Sequence, residues 1–117
     1  MKLLRVGEFG QEKPAALGKD GKIRDLSQHV LDLNPSTLNF ETLEKLQKLD
    51  LNTLPEILSS TRIGSCIARP GKFLAIGLNY SDHAAETNAE IPKEPILFNK
   101  ASNCIVGPND NVILPKL

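Results

Sequence analysis

The sequence predicts an α+β fold in two parts, and three observations carry that reading. Short apolar runs at the N-terminus are separated by turn-forming residues, with Asp20-Gly21 between two of them. A stripe of leucines at helical spacing follows from Leu38 to Leu58. Past Arg69-Pro70-Gly71 the pattern returns to strand-like runs. A turn-prone boundary of that kind places a small α+β domain at residues 1–70 and a second, β-rich domain from residue 71 to 117.

The elements follow in order. Leu3 to Gly7, Pro14 to Gly18 and Ile23 to Leu26 read as three short strands, because Asp20-Gly21 is a strong hairpin signal: Gly accepts positive φ freely and Asp tolerates it. Asp25 or Ser27 is expected to cap a brief helix through Val30 and Leu31, ended by Asn34-Pro35, since the residue before a proline is pushed out of the helical region. Leu38, Leu43, Leu46, Leu49, Leu54, Ile57 and Leu58 then predict two helices broken near Asp50 to Thr53, with Glu41, Glu44, Lys45 and Lys48 toward water. A stripe of this width is expected to pack on its own domain.

In the second part, Lys72 to Gly77 predicts a buried strand, Tyr80 to Glu86 a short helix and Asn88 to Pro95 a loop. Ile96 to Phe98 predicts another strand, and Gly107-Pro108-Asn109-Asp110-Asn111 a turn into a strand at Val112 to Leu114. This part stops about 45 residues after it starts, near the size at which a domain without metals or disulfides fails to bury enough surface. It is therefore expected to be incomplete.

Composition narrows the function classes. Lys+Arg and Asp+Glu both count 14, so no basic surface for neutralising phosphates is implied and nucleic acid is not an expected partner. No apolar run approaches the roughly 20 residues of a membrane span, and Gly7-Glu8 interrupts the N-terminus before a signal-type apolar core forms, so no membrane partner is expected and the expected location is cytoplasmic. Cys66 and Cys104 stand without a Cys-x-x-Cys pattern and are expected to be reduced, buried and packed as small hydrophobes.

His83 and Glu86 carry the chemistry. Three residues apart on a predicted helix, they share a face, and a carboxylate beside an imidazole orients the ring and favours its protonated form, as a general base requires. On spacing alone such a pair is more often a solvated one. His29, beside Val30 and Leu31, reads as structural. Asn79 is read as a helix cap, with Asp82 three residues on completing a box-like arrangement, and Tyr80 as packing its ring on the strand.

The run from Phe73 to Glu86, Phe73-Leu74-Ala75-Ile76-Gly77-Leu78-Asn79-Tyr80-Ser81-Asp82-His83-Ala84-Ala85-Glu86, followed by Glu94-Pro95-Ile96-Leu97-Phe98-Asn99-Lys100, resembles the fumarylacetoacetate hydrolase family. The likeness covers residues 72 to 115, and residues 1 to 70 more loosely resemble the small N-terminal domain of many bacterial members, including ureidoglycolate lyase-like and 2-hydroxyhepta-2,4-diene-1,7-dioate isomerase-like ones. The resemblance implies a β-rich roll, of which this sequence would hold the truncated start. It implies hydrolysis, decarboxylation, lysis or isomerisation of small 2-oxo or 1,3-dioxo acids in a magnesium-dependent enzyme that is a homodimer at full length.

By the same resemblance His83 is the proton-transferring base or water activator and Glu86 its orienting partner. Lys100 would donate to a substrate oxygen where negative charge develops. Asn79 and Tyr80, structural in the local reading, join it as candidate substrate contacts. Some family members carry arginine where this sequence has Leu78, which leaves the substrate open. Family members hold magnesium through a Glu-x-Glu pair and a further Asp; this sequence contains no Glu-x-Glu, and after Lys100 only Asp110 offers a carboxylate side chain. No metal ligand is assigned, and no tight magnesium site is expected on this chain alone. Two classes of function follow: the N-terminal portion of such an enzyme, inactive by itself, or a non-catalytic binding or oligomerisation module derived from the family.

Overall fold

Strands β1 (Lys2–Val6), β2 (Lys13–Leu17), β3 (Ile23–Asp25) and β4 (Glu56–Ile57) form an antiparallel meander in that order. The computed structural model describes residues 1–116. Register follows from alternation: Leu3 pairs Ala16 and Leu4 pairs Ala15, so successive residues serve opposite faces. On one face Ala16 meets Leu26, Val30, Leu33 and Leu46; on the other Ala15 packs with Val6 and Ile23. Both faces of this small sheet are therefore covered.

Helix α1 (Phe40–Gln47) begins where Asn39 accepts a hydrogen bond from the Thr42 amide at 2.9 Å, and Glu41 and Lys45 pair across one turn at 2.7 Å. Leu46 is its buried anchor, while Phe40 faces solvent. The α+β class expected from the sequence is the class observed.

Several expected elements take another form. No helix forms after Asp25; its carboxylate accepts from the Ser27 amide, and the chain makes a single turn in which Leu26 O receives the amides of His29 and Val30. One turn suffices to bury Leu26, Val30 and Leu33. The second helix of the leucine stripe is replaced by a 3-10 turn at Leu51–Thr53 and by β4. Pro55 forces Leu54 into an extended conformation (ψ 152), and Ile57 then pairs with Ile23 in the sheet. Residues Val112 to Leu114 are unpaired and exposed instead of forming a strand. Cys66 and Cys104 are free but exposed, not buried.

The chain packs as two compact units, one of Met1–Pro70 together with the segment beginning at Ile105, the other Gly71–Cys104. The segment after Ile105, which sequence order places with the second domain, thus packs with the first unit. Residues 62–64 run beside β1, with the Gly7 amide bonded to Arg62 O and the Gly64 amide to Arg5 O, and the turn at Gly107 lies on them. A side chain at Gly107 would collide with the Ile63 carbonyl, which explains the glycine.

A chain of alternating charges ties this unit together. Asp32 grips Arg5 through two bonds of 2.6 and 3.2 Å, and Glu12 bridges Arg5 (3.4 Å) and Arg62 (3.0 Å). Arg62 holds Asp110 in a fork at 2.8 and 2.6 Å. Burial pushes the Glu12 carboxyl up, but the Arg62 hydrogen bond, backbone hydrogen bonds and the Arg5 charge together outweigh it, leaving it below the ordinary range. Arg62 and the Gly107 amide hold Asp110 low as well. Among the described residues no helix is long and apolar enough to cross a membrane.

The second unit is a two-stranded antiparallel ribbon, β5 (Phe73–Gly77) with β6 (Ile96–Lys100), joined through helix α2 (Ser81–Glu86). The expected burial of β5 is not met: Phe73, Leu74 and Ile76 are all substantially exposed.

Candidate functional site

The second unit is built to present α2. Gly77 ends β5 under the ring of Phe98, where any β-carbon would collide with that ring. Leu78 then turns the chain with φ +46, a left-handed conformation that costs a branched residue on the order of 1 kcal/mol. The helix closes equally sharply. Asn88 occupies the left-handed region (φ +51), the Asn88 amide bonds to Ala85 O, and the Ala89 amide bonds to Ala84 O. These two bonds make a Schellman stop with asparagine in the place glycine usually takes. Thr87 Oγ1 adds bonds to His83 O and Ala84 O.

Ala84 is the buried residue of α2, so His83 and Glu86 lie on its outer side. His83 Nδ1 is 3.7 Å from Glu86 Oε2, and the two side chains are 57% and 76% exposed. That separation is ion-pair range, slightly long for a direct hydrogen bond. The shared face expected from three-residue spacing is thus present.

The cap of α2 differs from expectation. Tyr80, not Asn79, is the N-cap residue, and no side chain bonds there; Asp82 instead accepts from the His83 amide at 2.8 Å. Tyr80 is 70% exposed and does not cover its ring against β5. Lys100 ends β6 opposite Phe73, its ammonium 5.9 Å from the Phe98 ring centre. Among the described residues no hydrogen bond or ion pair joins Lys100, Asn79 or Tyr80 to His83 or Glu86.

Sequence reasoning missed two features. The Schellman stop was readable in Thr87-Asn88-Ala89 as an asparagine just past a helical run. The Asp32–Arg5–Glu12–Arg62–Asp110 chain was not, because its members are scattered along the sequence. It has a chemical consequence: Asp110, the one carboxylate side chain after Lys100, is engaged by Arg62. An open polar groove of about 450 Å³ between residues 59–63 and 109–111 contains this same pair and so offers no uncommitted charge.

The family model for fumarylacetoacetate (FAA) hydrolase, C-terminal, matches residues 72–117. This segment is therefore similar to the C-terminal domain of that family. The whole chain is similar to Burkholderia proteins provisionally named hydrolases: 53% identical over 116 residues to one from Burkholderia ambifaria, 53% to one from Burkholderia multivorans and 52% to one from Burkholderia lata. Each match takes in 99% of this chain and 41% of the relative, so the chain spans well under half the length of these curated relatives.

Magnesium, which the family resemblance implies, is tested by the donors present. Among the described residues no three His, Cys, Asp or Glu side chains gather as a metal cage would need, and Asp110 is committed to Arg62. The described residues do not fit the ion by themselves.

Proposed function

We propose that this chain supplies the acid/base part of a fumarylacetoacetate hydrolase-family enzyme that cleaves small 2-oxo or 1,3-dioxo acids. The observation that carries the reading is the His83–Glu86 pair on the outer face of α2, held between a strained turn at Leu78 and a Schellman stop at Asn88, within the segment that matches the family. The relatives' names favour hydrolysis over decarboxylation, lysis or isomerisation.

His83 takes a proton from water as the oxygen adds to the substrate carbonyl carbon. The C–C bond then breaks toward the neighbouring carbonyl, and the carbon of the enolate so formed takes the proton back from the His83 imidazolium. Glu86 stabilises the imidazolium formed in the first step. Lys100 supplies positive charge to an oxygen that becomes anionic, and Asn79 and Tyr80, both exposed beside α2, contact the substrate. No step is assigned to magnesium, whose ligands would have to come from outside the described residues. The working enzyme in this reading is a cytoplasmic homodimer of the relatives' length, and the present chain alone turns nothing over.

The test is to join this chain to the part of the Burkholderia ambifaria relative that it does not span and to assay an acylpyruvate panel. Turnover that falls on Glu86→Gln and survives Asp82→Asn supports the pairing. Equal turnover by all three proteins excludes it.

A further inference from the structure

Phe98 links a glycine and a lysine on one face of the β5–β6 ribbon. The register sets Phe73, Ala75 and Gly77 opposite Lys100, Phe98 and Ile96, and residues two apart on a strand share a face. The Phe98 ring lies on Gly77, where a β-carbon would collide with it, so the seat of the ring depends on the glycine. The Lys100 ammonium lies over the same ring, 5.9 Å from its centre and within the roughly 6 Å at which a ring face attracts a cation. In the register Phe98 stands between Lys100 and the Gly77 end of the ribbon. The lysine stem therefore runs toward that end, from which Leu78 to Tyr80 lead into α2. The lysine ion pairs among the described residues are those of Lys22 and Lys45, so the Lys100 ammonium is available to another anion.

We propose that Phe98 is a positioning residue for Lys100: its ring, seated on Gly77, aims the ammonium along the ribbon toward α2, where the substrate oxygen gains negative charge. The inference rests on the oxygen-stabilising role given to Lys100. A lysine carries its charge on a flexible four-carbon stem, so a charge that must meet an oxygen in the transition state gains from a fixed approach. Leucine at residue 98 would still fill apolar space on Gly77 but would offer no negative ring face. That contrast separates aiming from packing.

The experiment has a spectroscopic arm and a kinetic one. In the 117-residue chain labelled at lysine, NMR reads the ε protons of Lys100, which lie in the ring current of Phe98. They should stand upfield of those of the other lysines. Phe98→Leu should return them to the common position, Phe98→Tyr should keep them displaced, and Gly77→Ala, by moving the ring, should reduce the displacement. In this chain joined to the remaining portion of the Burkholderia ambifaria relative, Phe98→Leu should lower kcat on an acylpyruvate by about tenfold to a hundredfold with KM little changed. Phe98→Tyr should restore it, and in a Lys100→Met background Phe98→Leu should cost nothing further, since both changes remove one interaction. Lys100 protons at the common position in the parent, or displaced still in Phe98→Leu, overturn the proposal. So does a Phe98→Leu cost that persists in full without Lys100, which would mark the ring as packing only. Displaced protons in a protein whose turnover ignores Lys100→Met count against the role of Lys100 in the reaction and not against its placement by Phe98.

Discussion

Replacing Glu12 by glutamine should destabilise the N-terminal unit by about 2 kcal/mol at pH 7. The Glu12 side chain is 7% exposed and gives one oxygen to Arg5 and the other to Arg62. Removing one partner of a buried ion pair costs about 3–5 kcal/mol when the remaining charge is left alone. Here neither arginine is left alone, since Arg5 keeps Asp32 and Arg62 keeps Asp110, each at 2.6 Å, and the lower figure follows. The folded-state carboxyl lies below its ordinary value of 4.5, because the arginines and backbone hydrogen bonds together outweigh burial. Its contribution is therefore complete above that value and is lost as pH falls through the folded pKa. Urea denaturation followed by circular dichroism, at pH 7 and at steps down to about pH 3, reads both effects. A Glu12→Gln protein as stable as the parent at pH 7, or a gap that persists undiminished in acid, refutes the reasoning.

Leu46→Ala should cost about 2–5 kcal/mol, read by the same denaturation, because Leu46 is 2% exposed and anchors α1 to the sheet. Asn88→Gly should hold or slightly raise the helical signal of α2, and Asn88→Val should lower it at a conformational cost of about 1 kcal/mol, since only the former accepts positive φ without strain. Gly77→Ala should speed amide exchange in β5 and β6 by displacing the Phe98 ring. His83→Ala should leave the unfolding free energy within about 0.5 kcal/mol of the parent's, because the side chain is mostly exposed and its nearest ionic partner is 3.7 Å away.

The first three strands were legible because local chemistry and long-range packing agree there. Asp20-Gly21 turns the chain, and the apolar residues on either side alternate to match the pleat. From Asp25 onward they disagree. Leucines at helical spacing continue past Asp50, but Pro55 and the free edge of β3 make a strand at Ile57 the better burial, and no window of sequence shows that edge. The Asp25–Val30 segment buries its apolar residues in one turn, so a cap signal there was not followed by a helix. In the second unit β5, α2 and β6 were readable from pattern, whereas their exposure was not. Pattern reports which residues a full sheet would bury, and Phe73, Leu74 and Ile76 lack neighbours that would cover them among the described residues. The His83–Glu86 pairing was legible because three-residue spacing on a helix is local geometry; the commitment of Asp110 to Arg62, 48 residues away, was not.

The central claim is that His83, oriented by Glu86, moves the proton. Its most direct test is kcat against acylpyruvates for this chain joined to the remaining portion of the Burkholderia ambifaria relative, with and without His83→Ala. Loss of a general base predicts a fall in kcat of about 10² to 10⁴-fold with the fold intact by circular dichroism. A His83→Ala protein that keeps the parent's kcat, or a folded parent that turns over no oxo acid in the panel, would contradict it.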